Sequence, residues 1–242
     1  MNRAALVTGG AKRIGAAICR ALHAEGYRVL VHCHASRAEG ELLVATFNAL
    51  RRDSAVLLLG DLADAGALDN ILAETRELAP DLSLLVNNAS AFFPTPLNTA
   101  TPEQWNTLVN SNLRAPFFLA QGLHKLLAAN FGSIINLTDI YAERPLKDHP
   151  LYAMTKAGLV SLTRSLAHDL APGVRVNAIA PGAIIWPEHA NDAYRQRLLA
   201  KIPLQRVGDA ADIARTVIFL ATQADYITGQ IIAVDGGRSL NM

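Results

Sequence analysis

Tyr152 and Lys156 stand four residues apart in Tyr152-Ala153-Met154-Thr155-Lys156, where a helical pattern through Leu159, Leu162, Leu166 and Leu170 begins. Residues at that spacing share one helix face. A phenol with a reference pKa of about 10 is a weak acid–base group at neutral pH, and a neighbouring ammonium moves it toward the working range. Such a pair can do proton transfer at a reacting group. Asp139, in Asn136-Leu137-Thr138-Asp139, supplies a carboxyl just upstream. It can cap a turn ahead of Ile140-Tyr141 or join the same proton chemistry, but once ionised it has no proton to give.

A second group of residues could hold a phosphate. Thr8-Gly9-Gly10-Ala11-Lys12-Arg13-Ile14-Gly15 follows a short apolar run and precedes a helical pattern. Glycines at such a turn let the backbone approach a pyrophosphate at a helix N-terminus. A plain strand–helix turn would look similar, and the position after the first strand of a βαβ unit favours the dinucleotide reading. About 20 residues further on, a free ribose 2′-hydroxyl calls for an acid. His32-Cys33-His34-Ala35-Ser36-Arg37 has none. Donors at His34, Ser36 and Arg37 suit a 2′-phosphate, so NADPH is expected over NADH. Asp61, beside Leu62, either accepts a hydrogen bond from the adenine amino group or caps the next helix.

The elements that must carry these residues alternate regularly. Strand-like runs occur at Ala4–Val7, Arg28–His32, Ala55–Leu59, Leu82–Val86, Ser133–Leu137, Arg175–Ala180 and Gln230–Val234. Their near-continuous apolar content suits a parallel sheet buried on both faces. Ile14, Ile18 and Leu22 mark a helix ending at Gly26, and Ser36-Arg37-Ala38-Glu39 reads as a capping box. Asp212 to Ala221 reads as another helix. Strands alternating with helices predict an α/β fold, a single doubly wound, Rossmann-like domain. Between Pro181 and about Gly208 lies a long stretch without a strand, holding Trp186, Pro187, His189, Tyr194 and Pro203. It leaves the carboxyl end of a strand, where open sheets bind ligands, so residues 183–207 are expected to form a substrate lid.

Composition narrows the partners. The 242 residues are 51% hydrophobic, and 22 basic against 21 acidic residues leave a formal net charge of +1. Without a basic run there is no footprint for nucleic acid or an acidic membrane. Two cysteines, Cys19 and Cys33, cannot make a disulfide framework or a metal knuckle, and Cys19 falls on an apolar helix stripe. No targeting or membrane segment is read, so the expectation is a cytoplasmic protein without a bound metal.

Over nearly its whole length the chain resembles the short-chain dehydrogenase/reductase family, through Thr8–Gly15, Asn87-Asn88-Ala89, Asn112, Tyr152-x-x-x-Lys156, Pro181-Gly182 and Asp235-Gly236-Gly237. The resemblance implies that Tyr152 is the proton donor and that Lys156 holds the nicotinamide ribose and lowers the tyrosine pKa. It implies too that Asn112 maintains a proton-relay water. Gly9, Arg13, Ile14, Gly15, Asn88, Ala89, Pro181 and Gly182 would then border the cofactor. Members of the family are commonly homotetramers, here through Thr101–Leu127 and Tyr152–Leu170, with Trp105, Leu108, Phe117, Leu159 and Leu162 as candidate contacts.

Two departures are informative: Arg13 replaces a family glycine, and Asp139 replaces the family serine. Both resemble the pteridine reductase branch, including its dihydromonapterin reductases, as do Asn88-Ala89-Ser90-Ala91-Phe92-Phe93-Pro94-Thr95-Pro96-Leu97 and Tyr226-Ile227-Thr228-Gly229. The branch implies that Phe92 stacks on a flat pterin, and that Arg13 and Ser90 contact the pterin or the cofactor phosphates. Asp139 and Tyr152 would then act on a ring nitrogen, reducing a dihydropterin to a tetrahydropterin. The alternative is a carbonyl or 3-oxoacyl-thioester reductase of the same family. Ala35 stands where protozoan members carry an arginine, and Ile184 and Ile185 replace more polar residues, which leaves the pterin's side-chain preference open.

Overall fold

A computed structural model describes residues 3–185 and 191–241. Seven strands, β1 (Ala4–Val7), β2 (Arg28–Cys33), β3 (Ala55–Leu59), β4 (Leu82–Asn87), β5 (Ser133–Leu137), β6 (Arg175–Pro181) and β7 (Ile231–Val234), form one sheet. Its order is β3-β2-β1-β4-β5-β6-β7, and every neighbouring pair is parallel. Parallel neighbours need crossovers, and these place helices on both faces of the sheet. One core layer joins Ile18, Leu22, Val29, Val31, Leu84 and Val217. The other joins Leu6, Leu30, Leu58, Leu82, Leu119 and Val176. The central strands thus pack apolar side chains into both layers, which is why they read as continuous apolar runs.

Helices α1 (Arg13–Ala24), α2 (Arg37–Leu50), α3 (Ala65–Leu78), α4 (Pro102–Val109), α5 (Ala115–Ala129), α6 (Pro150–Asp169), α7 (Asp192–Leu199) and α8 (Ala210–Thr222) complete the layers. Cys19 is fully buried on α1, and desolvation pushes its thiol pKa up, so it is an inert core residue. The Ser36–Glu39 capping box does not form. Ser36 makes no side-chain cap, and Glu39 reaches instead to Lys12 at 2.7 Å, a contact between separate elements that the local pattern does not contain. True capping boxes start α4, with Thr101 and Gln104, and α8, with Asp209 and Asp212. A π-helical turn, Asn110–Arg114, joins α4 to α5.

Among the candidate interface residues, Leu108 and Leu159 belong to the core, whereas Trp105 and Phe117 are exposed. Residues 186–190, with Trp186, Pro187 and His189, lie outside the described residues. The rest of the segment after β6 contains α7 and folds back on the chain. The Leu204 amide donates to Gly236 O and the Gly208 amide to Ala183 O. The chain order reverses between β1 and β4, and the crevice outside their carboxyl ends is where an open α/β sheet takes a ligand. No helix among the described residues is long and apolar enough to cross a membrane.

Candidate active site

The crevice begins with Thr8, at the end of β1. Its Oγ1 accepts the amides of Asn88 and Ala89, at 2.9 and 3.0 Å, and donates to Val86 O. Asn88 returns the contact, its side-chain amide donating to Thr8 O and Gly9 O. These bonds bind the β1–α1 turn to the end of β4. Gly9 has φ +62°, and a Cβ there would lie 3.0 Å from Ala89 Cα. A Cβ on Gly15 would sit 2.1 Å from Gly9 O, so this turn and helix can close only around a bare glycine. Ile14 packs beside them against the core.

Arg13 occupies the left-handed region, with φ +50°. The departure from the family glycine therefore keeps a glycine-like backbone, which costs a non-glycine residue about 1–2 kcal/mol. Strain of this kind gathers at ligand clamps.

His32 buttresses the turn from β2. Its Nδ1 accepts the Gly9 amide, so Nε2 carries the proton and donates to Gly60 O at 3.0 Å. Burial lowers its pKa to about 4, and the ring is a neutral structural group.

A cavity of about 440 Å³ opens between the glycine turn and the ends of β2 and β3. Gly9, Lys12, His34, Ser36, Asp61, Leu62, Ala89 and Ser90 line it. Close-approach glycines, a helix N-terminus and a cavity with several polar groups on its wall at the switch point fit a dinucleotide. Asp61 faces His34 at 3.9 Å and accepts the Ala63 amide, whereas the cap of α3 is Asp64. Arg37 is not brought to the cavity. Its guanidinium pairs with Glu41 one turn along α2, at 2.7 Å. Lys12 is the cation that lines the cavity instead. Its place inside the glycine-rich turn is the sequence signal for it, one that competes with the donors at the end of β2.

At the end of β5, Asp139 begins a single 3-10 turn, Ile140–Ala142. One carboxylate oxygen accepts the Tyr141 amide at 2.9 Å, and the other accepts the Tyr152 hydroxyl at 2.7 Å. Asp139 therefore caps the turn and at the same time meets the tyrosine hydroxyl. Burial raises its pKa. Burial first, and then the adjoining carboxylate, push the Tyr152 phenol well above its ordinary value. The lowering expected from Lys156 is not seen: every influence on the phenol, from burial, Asp139 and Tyr141, raises it. Lys156 Nζ lies 5.8 Å from the Tyr152 ring centroid and donates to Leu137 O at 2.8 Å. Desolvation brings the fully buried ammonium down to about 8. The site thus holds a hydrogen-bonded phenol–carboxyl pair that resists ionisation, above a lysine with protons to spare.

Asn112 sits in the π-helical turn. Its amide oxygen accepts from Ala91 N and Ser111 Oγ, and its nitrogen donates to Ala91 O and Thr155 Oγ1. All of the side chain's ordinary hydrogen-bonding positions are filled by protein, so it clamps the loop that carries Ser90 and Phe92 onto α6. Ser90 and Phe92 are exposed, and the Phe92 ring stacks on His149 at 4.9 Å and meets Tyr152 edge-on at 4.7 Å. His149, just before α6, is a site residue that sequence reading missed. Pro181 ends β6, and the Gly182 amide donates to Val234 O. Ile184 turns into the core, while Ile185 is exposed.

The family model described as enoyl-(acyl carrier protein) reductase matches residues 9–239. Pteridine reductase 1 of Leishmania tarentolae is 37% identical, over 98% of this chain and 96% of its own length. A 3-oxoacyl-[acyl-carrier-protein] reductase FabG of Staphylococcus aureus is 36% identical, over 98% of each chain. Protein FixR of Bradyrhizobium diazoefficiens is 37% identical, over 97% of this chain and 86% of its own length. The tyrosine–lysine pair beside a glycine-lined crevice and these full-length matches agree: the chain belongs to the short-chain dehydrogenase/reductase family, oxidoreductases that work with a nicotinamide cofactor.

Proposed function

We propose that the protein is an NADPH-dependent reductase of pterins, converting a dihydropterin to the tetrahydropterin. The observation that carries this reading is the Asp139 carboxyl, hydrogen-bonded to the Tyr152 hydroxyl where a carbonyl reductase of the family has a serine. A carbonyl oxygen gains negative charge during reduction and needs a fixed hydrogen-bond donor, whereas the Asp139 oxygen beside Tyr152 accepts the tyrosine hydroxyl and is suited to supplying a proton in its turn. Reduction of a ring C=N bond adds hydride to carbon and a proton to nitrogen. Bound NADPH supplies the hydride. Tyr152 delivers the proton to the ring nitrogen, and Asp139, which burial keeps protonated to higher pH, replaces it. Lys156 holds the nicotinamide ribose, and Asn112 holds the loop that presents Ser90 and Phe92 to the substrate. Phe92, with its exposed aromatic ring beside Tyr152, offers the stacking surface a flat heterocycle requires.

Lys12, His34 and Ser36 line one cavity and suit the 2′-phosphate, and the end of β2 carries no acid of its own to prefer a free hydroxyl. Asp61 and Leu62 flank the adenine. Arg13 contributes its charge at the helix N-terminus, where it meets the phosphates or the pterin. Of the expected lid, residues 183–185 and 191–207 cover the substrate, and Trp105 and Phe117 belong to the contacts of a cytoplasmic homotetramer.

The near-equal similarity to FabG makes a 3-oxoacyl-thioester reductase the competing reading. NADPH oxidation with dihydromonapterin, dihydrobiopterin, dihydrofolate and an acetoacetyl thioester decides between them. Turnover of a dihydropterin, faster on the acid side of neutrality and lost about 100-fold or more in Tyr152→Phe, is expected. Thioester turnover with every pterin inert would overturn the proposal.

A further inference from the structure

The catalytic pair is joined to a part of the chain that the reaction as described does not use. After β7, Gly236 and Gly237 take φ +64° and +83°, and Asp235 accepts the amides of Gly237 and Ser239, at 2.9 and 2.7 Å. This tight turn delivers Arg238 back toward the end of β5. Its Nη2 donates to the Tyr141 hydroxyl at 2.8 Å, and its guanidinium carbon lies 5.5 Å from the Tyr141 ring centroid. Tyr141 is the residue whose amide donates to Asp139. Arg238, Tyr141, Asp139 and Tyr152 therefore form one chain of hydrogen-bonded residues, although Arg238 and Tyr141 are 97 positions apart in sequence.

The position of the guanidinium is unusual. Its Nε is buried without a hydrogen-bond partner among the described residues, and no carboxylate among them lies within ion-pair distance. A cation held on neutral groups keeps its field for whatever carboxyl is nearby, and in a site of low dielectric that field is little screened. The charged and titratable groups facing Asp139 are Tyr152 and Lys156 from α6, Tyr141 from its own turn, and Arg238. Lys156 spends a proton on Leu137 O, so Arg238 is the second cation acting on the carboxyl, and it comes from a different element.

We propose that Arg238 is a positioning residue for the catalytic carboxyl: it fixes the Tyr141 side chain, so that the Tyr141 amide stays on Asp139, and its charge sets how readily Asp139 exchanges its proton with Tyr152. The catalytic function of that proton rests on the pterin reductase reading; the coupling itself does not. Removing the cation favours the neutral carboxyl, so the Asp139 midpoint rises, and a lysine that keeps the charge restores it.

The test is a 13C NMR titration of the aspartate carboxyls in the full-length enzyme without substrate, with the Asp139 signal assigned by its loss in Asp139→Asn. In Arg238→Met the midpoint rises by about half a unit to one unit, and in Arg238→Lys it stays close to wild type. Tyr141→Phe, which keeps the backbone amide but frees the guanidinium, gives a smaller rise and carries the test if Arg238→Met does not fold. An unmoved midpoint in both Arg238→Met and Tyr141→Phe overturns the proposal, as does Arg238→Lys shifting as far as Arg238→Met. Because no substrate enters this titration, failure of the pterin reading shows up separately, in the turnover assay.

Discussion

The two sides of the crevice are built by different means. On the cofactor side the contacts are main-chain contacts: Thr8 accepts two amides, Asn88 reaches two carbonyls, His32 bridges Gly9 and Gly60, and Gly15 lies against Gly9 O. On the substrate side side chains from distant segments meet one another: Phe92 with His149 and Tyr152, Asp139 with Tyr152, Tyr141 with Arg238. A backbone cradle recognises what every nicotinamide dinucleotide shares, and tolerates little change. A side-chain wall can be rebuilt one residue at a time, which is why the proposed function places specificity and the proton supply there.

The sharpest way to break the contrast is to add one methyl group to the cradle. Gly15→Ala drives a Cβ into Gly9 O, and such overpacking costs about 3 kcal/mol. Thermal unfolding should show a clear loss of stability, and titration should show NADPH binding abolished. A variant with wild-type melting and affinity would mean that the turn is not closed as described.

A smaller effect separates two cations on the cofactor side. Lys12 lines the cavity and pairs with Glu39, while Arg37 pairs with Glu41 outside it. Losing one charge-assisted contact to a 2′-phosphate is worth about a factor of ten in affinity. Lys12→Ala should therefore raise the NADPH KM about tenfold and leave the NADH KM nearly unchanged, whereas Arg37→Ala should change neither by more than about twofold. Equal effects of the two substitutions on NADPH would return Arg37 to the site.

The smallest effect is on stability, on the substrate side. The folded-state pKa of Asp139 is raised, so between the unfolded and folded values the folded protein binds the extra proton. Its contribution is fully present below the unfolded value and is lost as pH rises through the folded one. Asp139→Asn removes that slope. Denaturant unfolding across the carboxyl range should find the variant gaining on wild type as pH rises toward neutrality. The opposite slope would mean that the carboxylate is stabilised as an anion.

The same division explains what could be read from sequence. The seven strands were legible because each is apolar on both faces, and their ends shift by no more than a residue: β2 runs on to Cys33, β4 to Asn87, β6 to Pro181, and β7 starts at Ile231. Tyr152 and Lys156 were legible because helical spacing places them on one face. Glu39 was misread because its partner, Lys12, lies in another element and outweighs the local capping pattern. The capping boxes at Thr101 and Asp209 carried ordinary local signals and went unread. Arg238 and His149 had no signal at all: Arg238 meets Tyr141 only when the ends of β5 and β7 come together, and His149 meets Phe92 only when the loop after β4 reaches the start of α6.

The central claim is that the Asp139 carboxyl turns a carbonyl-reducing site into one that protonates a ring nitrogen. The most direct measurement is the ratio of kcat/KM for a dihydropterin to that for an acetoacetyl thioester, in wild type and in Asp139→Ser, with NADPH in one buffer. Wild type should favour the dihydropterin by about 100-fold or more, and Asp139→Ser should lower the ratio at least about tenfold, with part of the change as a gain on the thioester. A wild type that prefers the thioester, or a ratio indifferent to the substitution, would contradict it.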